Sequence, residues 1–329
     1  MSRGTPKVEL HLHLEGAAPP ELIRQMASEK GLDLSHIFDA KGAYDYRDFW
    51  HFLNIYEDAT SVLKSPEDFA RLVGAVLEES AAHGVIHTEA FLSPDFCGGR
   101  DPVAWAEYAA AMQEAAKAAE ARHGISMRGV ITAIRHFGPE AARETARCAQ
   151  ETAGEWITGF GIAGDERAGA LADFAYAFDM AREAGLGLTA HAGEWCGPDE
   201  VRAALDHLRV SRIGHGVRAI EDADLVARLA AEGVVLEVCP GSNVTLGVYA
   251  SLADHPVEAL RAAGVPVTIS TDDPPFFHTT MTREYDDLAE TFGWDAATFH
   301  TLNVTAANAA FCDAPTRARI LTRLENPHV

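Results

Sequence analysis

The sequence predicts an α/β protein folded as a (β/α)8 TIM barrel, with a helical lid insertion after the first strand. Three observations carry that prediction. Short apolar or β-branched runs alternate with longer helical patterns along the chain, no linker-like stretch divides them, and polar residues collect at the carboxyl ends of the runs. Eight strands are expected, at residues 8–14, 85–92, 126–134, 157–162, 186–191, 212–215, 234–239 and 265–271. The intervening helices have readable ends. Asp101 and Pro102 read as cap and first helical residue of a run that stops at Gly124, and Gly185, Gly233 and Gly264 each close a helix just before a strand. A doubly wound open sheet is the competing architecture. The absence of GxGxxG after the first strand and of GxxxxGK[ST] anywhere disfavours its nucleotide-binding forms. One domain, 1–329, is expected. The stretch 31–66, carrying YDYRDFWHFLNIYEDA, exceeds an ordinary βα connection and is expected to cover the site as a lid.

Composition narrows the function classes. With 27 cations against 49 anions, a net charge of −22, and no basic stripe, nucleic acid is a poor partner. The alanine-rich stretch 104–121 is broken by charged residues, so no membrane span is expected. The N-terminal residues show no continuous apolar run, so export is not expected, and Cys97, Cys148, Cys196, Cys239 and Cys312 are scattered without a CxxC pair, so a reducing cytoplasm is expected. Oligomeric state is not legible.

The chemistry is concentrated at the strand ends. In the first strand, His11 and His13 share one face by the two-residue period, with Leu10, Leu12 and Leu14 on the other. A lone inward histidine is more often a hydrogen-bonded core residue, but two buried imidazoles on an apolar strand need partners. The fifth strand ends in HAGE, adding His191 and the free carboxylate of Glu194, and the sixth ends in IGHG, where Gly214 and Gly216 leave room around His215. The eighth ends in STDDP, whose adjacent Asp272 and Asp273 point opposite ways, so one can ligate a metal while the other stays free. Asp-Asp before proline is ordinarily a turn or cap; at a barrel strand end the functional reading is preferred. Three imidazoles and a carboxylate suit Zn2+, and a fifth position for water makes such a site catalytic. A two-metal centre bridged by a carboxylated lysine is disfavoured: GFGIAGDE on the fourth strand has none, and no lysine follows Lys117.

HLHLEG, AGDE, HAGE, IGHG, CPGSN and STDDP, in this order across almost the whole chain, resemble the adenosine deaminase family of barrel hydrolases. The resemblance implies that His11, His13, His191 and Asp272 bind one Zn2+ per chain, that Glu194 protonates purine N1, and that His215 orients the attacking hydroxide. It further implies that Asp273 contacts N7, that the Gly164 amide contacts N3, and that His13 and Glu15 border the substrate. Phe49, Phe52 and Leu53 resemble the apolar lid of that family, while Trp50 either narrows the pocket or packs the helix. The chemistry stands without the family: zinc brings the pKa of water toward ~7, and an acid held neutral by burial can protonate the ring nitrogen before ammonia leaves. The HxE and PCxxC signature of cysteine-bound zinc deaminases is missing.

Glu15 stands where animal-type enzymes of the family have an aspartate contacting the ribose. Ala163, Gly164, Asp165 and Glu166 stand where adenine-type proteins tend to carry a serine pair, which favours adenosine or deoxyadenosine. Adenine, N6-substituted adenines and aminofutalosine are the alternatives, and a different metal-dependent amide or ester hydrolase is the rival class. A metal-bound interaction protein without turnover is a third, disfavoured by Glu194, His215 and Asp273 occurring together. His51, His83, His87, His136 and His278 fall outside the motifs and are expected to be surface or core residues, with His278 a candidate for the site mouth.

Overall fold

The computed structural model describes residues 4–326, so residues 1–3 and 327–329 of the expected domain lie outside the described residues. Its strands are β1 (Lys7–His13), β2 (Val85–Leu92), β3 (Ser126–Ile134), β4 (Ile157–Ala163), β5 (Gly187–Ala192), β6 (Arg212–His215), β7 (Val235–Val238) and β8 (Val267–Ile269). They pair in parallel and in sequential order. That order is a (β/α)8 barrel and excludes a doubly wound sheet, whose order reverses at a switch point. The ring closes through Asp272 N donating to His11 O at 3.1 Å and His13 N donating to Asp272 O at 3.0 Å. β8 is shorter than the sequence suggests, because Pro266 has no N–H for the ladder and residues 270–273 turn toward β1.

The first connection holds α1 (Pro20–Lys30), α2 (Phe49–Thr60) and α3 (Pro66–Ala82); α4 (Pro102–His123), α5 (Gly138–Thr152) and α6 (Ala175–Glu183) follow β2, β3 and β4. α7 (Pro198–Ala203), α8 (Ala223–Glu232), α9 (Pro240–Thr245) and α10 (Val257–Ala262) complete the connections through β8. Beyond β8 lie α11 (Met281–Phe292), α12 (Ala296–Ala309) and α13 (Ala314–Glu325). The expected helix punctuation is present: Asp101 accepts from Val103 N and Ala104 N, and Gly124 and Gly233 sit at φ +71° and +67°. Among the described residues no helix is long and apolar enough to cross a membrane.

β1 departs from simple alternation. Its register to β2 slips between Glu9 and Leu12, and the N–H groups of Leu10 and His11 both point at Ser270 Oγ, at 3.3 and 3.2 Å. This bulge reverses the side-chain parity. Glu9 lies in a cleft with Val76 and Glu79 of α3, while His11 and His13 turn to the metal-type cluster. Leu10 therefore does not join Leu12 and Leu14 as expected; it packs with Val8, Ile86 and residues of α12 and α13 in a separate small core.

Candidate active site

Four ligand atoms, one each from His11, His13, His191 and Asp272, lie within 4.8 Å of one another at the carboxyl end of the barrel. Asp272 Oδ1 is 3.4 Å from His11 Nε2 and 3.3 Å from His13 Nε2, and His13 Nε2 is 3.2 Å from His191 Nε2. The far nitrogens are already engaged. His11 Nδ1 faces Glu237 Oε2 at 3.0 Å and His191 Nδ1 faces Ile162 O at 3.0 Å, so their protons sit on Nδ1 and the Nε2 lone pairs converge. His11 Nε2 is buried with no hydrogen-bond partner. Converging lone pairs, an orphaned nitrogen and a carboxylate make a donor set that fits a metal cation. A second buried group, His215, Cys239 and Asp272, shares the aspartate.

The backbone is strained where these side chains must be aimed. His215 and Asp272 adopt φ of +59° and +67°, in the left-handed region that non-glycine residues rarely occupy. Two glycines give the space. A Cβ on Gly16 would lie 1.5 Å from Asp273 Oδ1, and one on Gly214 would lie 2.9 Å from His11 Cε1. Gly214 thus makes room for His11 and His191 rather than for His215 as the sequence suggested.

The cluster forms one wall of a pocket that is lined by His13, Gly164, His191, Glu194, His215, Asp272 and Asp273. Phe49, Phe52 and Leu53 of α2 line it too, so the segment expected to cover the site does border it. Trp50 does not; it is 55% exposed. Glu15 is not among the lining side chains, although it hydrogen-bonds Tyr56, which is. It is buried outside the lining, and burial raises its carboxyl to about 7, with Asp95 close enough to add to the rise. His278 lies in a neighbouring cleft with Tyr46 and Leu246, whereas His136, which no motif marked, lines the pocket beside Gly164. His87 and His83 hydrogen-bond Ser126 and Thr282, and His51 lies at the start of α2, as expected of residues outside the site.

Electrostatics sort the titratable groups. Burial, reinforced by Asp272 and Glu166, holds the Glu194 carboxyl well above its ordinary range. Burial, with Asp272 and Glu194 nearby, does the same to Asp273, whose Oδ1 is buried without a partner. The His215 ring is pushed down by burial to about 3 and is neutral. Several supporting residues have contacts that their motifs alone do not reveal. Glu166 of AGDE accepts from the backbone N–H groups of Glu194, Trp195 and Cys196, at 3.1, 2.9 and 2.6 Å, and so shapes the turn that presents Glu194. Ser242 of CPGSN donates to Asp272 Oδ2 at 2.7 Å, and Asn243 donates to Glu194 Oε1 at 2.9 Å. Glu237 was signalled only as a lone acid inside an apolar strand. It is the group that orients His11 and is itself held by Arg212 Nε at 2.6 Å.

Residues 6–327 match the sequence model of the family described as adenosine deaminase. The chain is 52% identical over 321 residues to an adenine deaminase of Chelativorans sp. (strain BNC1), covering 97% of this chain and 98% of that one. It is 50% identical over 318 residues to an adenine deaminase of Rhizobium leguminosarum bv. trifolii, covering 97% and 98%. Among solved structures, the adenine deaminase from Arthrobacter aurescens superposes with a TM-score of 0.89 at 31% identity, covering 98% of both chains. An amidohydrolase from Burkhoderia ambifaria with bound Zn gives 0.87 at 25% identity, covering 98% and 90%. These relatives carry the name adenine deaminase, whereas AGDE led to an expectation of adenosine. Glu166 of that motif is engaged in holding the Glu194 turn. From the match over almost its whole length, the chain belongs to the adenosine deaminase family and is a hydrolytic deaminase.

Proposed function

We propose that this enzyme converts adenine and water to hypoxanthine and ammonia, using one Zn2+ per chain held by His11, His13, His191 and Asp272. The observation that carries the substrate is the near-full-length likeness, at about half identity, to relatives named adenine deaminase. Three nitrogens and one oxygen at a shared point favour zinc among divalent cations.

The metal, when bound, supplies the Lewis acidity that makes water a nucleophile near neutral pH. The remaining work is done by side chains. Glu194, kept as the neutral acid by burial, delivers a proton to N1, which makes C6 electrophilic. Asp273, also neutral, donates to N7, and the Gly164 amide donates to N3; Gly164 sits at φ +101°, where any Cβ would press on His136 Nδ1. His215 holds the attacking water against C6. As the water adds to C6 it returns one proton to Glu194 and gives the other to the 6-amino group; the C6–N bond then breaks, ammonia leaves, and the added oxygen becomes the carbonyl of hypoxanthine. Phe49, Phe52 and Leu53 act as an apolar lid that excludes bulk solvent. Ammonia release from adenine and adenosine by the purified protein tests the reading. Adenine is expected to lead in kcat/KM by roughly 100-fold, and equal or faster turnover of adenosine overturns it.

A further inference from the structure

We infer that one hydrogen-bond relay, running from the turn before α10 through His255 and Asn243, sets the position of the two active-site protons, those on Glu194 and His215. The inference deepens the proposed function and rests on it for the roles of those two residues.

The relay begins at a group whose hydrogen is not in doubt. The Val257 backbone N–H donates to His255 Nδ1 at 3.2 Å. Burial pushes the His255 ring down to about 3, so it is neutral and its one proton sits on Nε2. His255 Nε2 then donates to Asn243 Oδ1 at 3.1 Å, and this contact decides which end of the amide is oxygen. The opposite end agrees. Asn243 Nδ2 donates to Glu194 Oε1 at 2.9 Å, where an amide oxygen would face a carboxyl oxygen. The second Nδ2 hydrogen is directed at His215 Nδ1, 3.2 Å away, which therefore accepts.

Two consequences follow from that amide. His215 carries its proton on Nε2, the nitrogen 3.9 Å from Asp272 Oδ2, so it holds the attacking water by donating to it and does not take its proton. Glu194, accepting at Oε1, carries its acid proton on Oε2. A ring protonated at Nε2 has no lone pair there, so His215, Cys239 and Asp272 do not make a second metal position. His255 and Asn243 are buried, at 3% and 0% exposure, and neither lines the pocket. They are positioning residues, and the Tyr249 ring, 5.1 Å from the His255 ring, packs against the start of the relay.

The test uses 15N NMR of histidine-labelled protein, with the His215 signals assigned by their loss in His215→Gln. Wild type is expected to show His215 protonated at Nε2 and bare at Nδ1, and Asn243→Leu to shift or mix the two tautomers. In kinetics, His255→Leu frees the amide to flip and is expected to lower kcat about tenfold or more with KM unchanged. His255→Gln restores an N–H toward Asn243 Oδ1 and is expected to recover most of that loss. A wild-type proton on His215 Nδ1, or equal impairment in the leucine and glutamine variants, overturns the relay while leaving the adenine reading intact. Failure on adenine with the expected tautomer overturns the adenine reading alone.

Discussion

The Glu194 carboxyl sits among Asp272, Glu166 and Asn243 in a buried setting that favours its neutral form, so its proton is available at pH values where an ordinary glutamate has lost it. Replacing it with an amide of the same shape removes the proton and leaves the metal ligands in place. Glu194→Gln is expected to cut turnover by about 10²–10⁴-fold with metal content unchanged, read by ammonia release and elemental analysis. Near-normal turnover removes Glu194 from the mechanism. At this scale the sequence was informative for residues that close a motif on a strand end, such as His191, Glu194 and Asp272. It was uninformative for His136, because which way a loop side chain turns depends on what packs behind it. His136 meets Gly164 from a different strand.

At the scale of elements, the site depends on how helices are tied to the strand ends. Glu284 of α11 accepts from Gly241 N at 3.0 Å, near the start of α9, and from Thr279 Oγ1 at 2.7 Å. Its side chain is buried, and burial raises its folded pKa to about 7 from the ordinary glutamate value of 4.5. An acid raised on folding binds its proton more tightly in the native state. Its cost is therefore absent below the unfolded pKa, grows as pH rises between about 4.5 and 7, and is complete above the folded pKa. Glu284→Gln keeps a neutral partner for both contacts and is expected to be more stable than wild type at pH 8, by on the order of 2–3 kcal/mol, with the gain vanishing near pH 4. Urea unfolding at both pH values checks this, and a loss of stability at pH 8 contradicts it. Neither the bulge in β1 nor the tie from α11 to α9 was legible in the sequence, since each is made by residues about 40 to 260 positions apart.

Across the whole molecule, a buried ion network crosses the barrel beneath the metal-type cluster. Arg212 of β6 reaches Glu237 of β7 through Nε at 2.6 Å and Glu89 of β2 through its guanidinium at 2.7 Å, and Glu237 in turn orients His11. The Phe311 ring lies 3.6 Å from the guanidinium, and the Phe311 N–H donates to Glu89. Removing the cation leaves two carboxylates in a water-poor interior. Arg212→Met is expected to cost about 3–5 kcal/mol in denaturant unfolding and to weaken metal retention by freeing Glu237. An unfolding midpoint equal to wild type rules out the network as a stabilising element.

The sequence by itself determined the strand order, the helix punctuation and the motif residues that meet at the barrel mouth. Those follow from local rules: side-chain period, capping chemistry and the placement of polar residues at strand ends. Tertiary structure alone decided the parity of β1, the closure of the ring through Asp272, and the partners Glu237, Arg212, Asn243 and His255. Each depends on atoms far apart in the chain meeting at hydrogen-bond distance. Local period and propensity do not encode such meetings; packing into a closed barrel creates them.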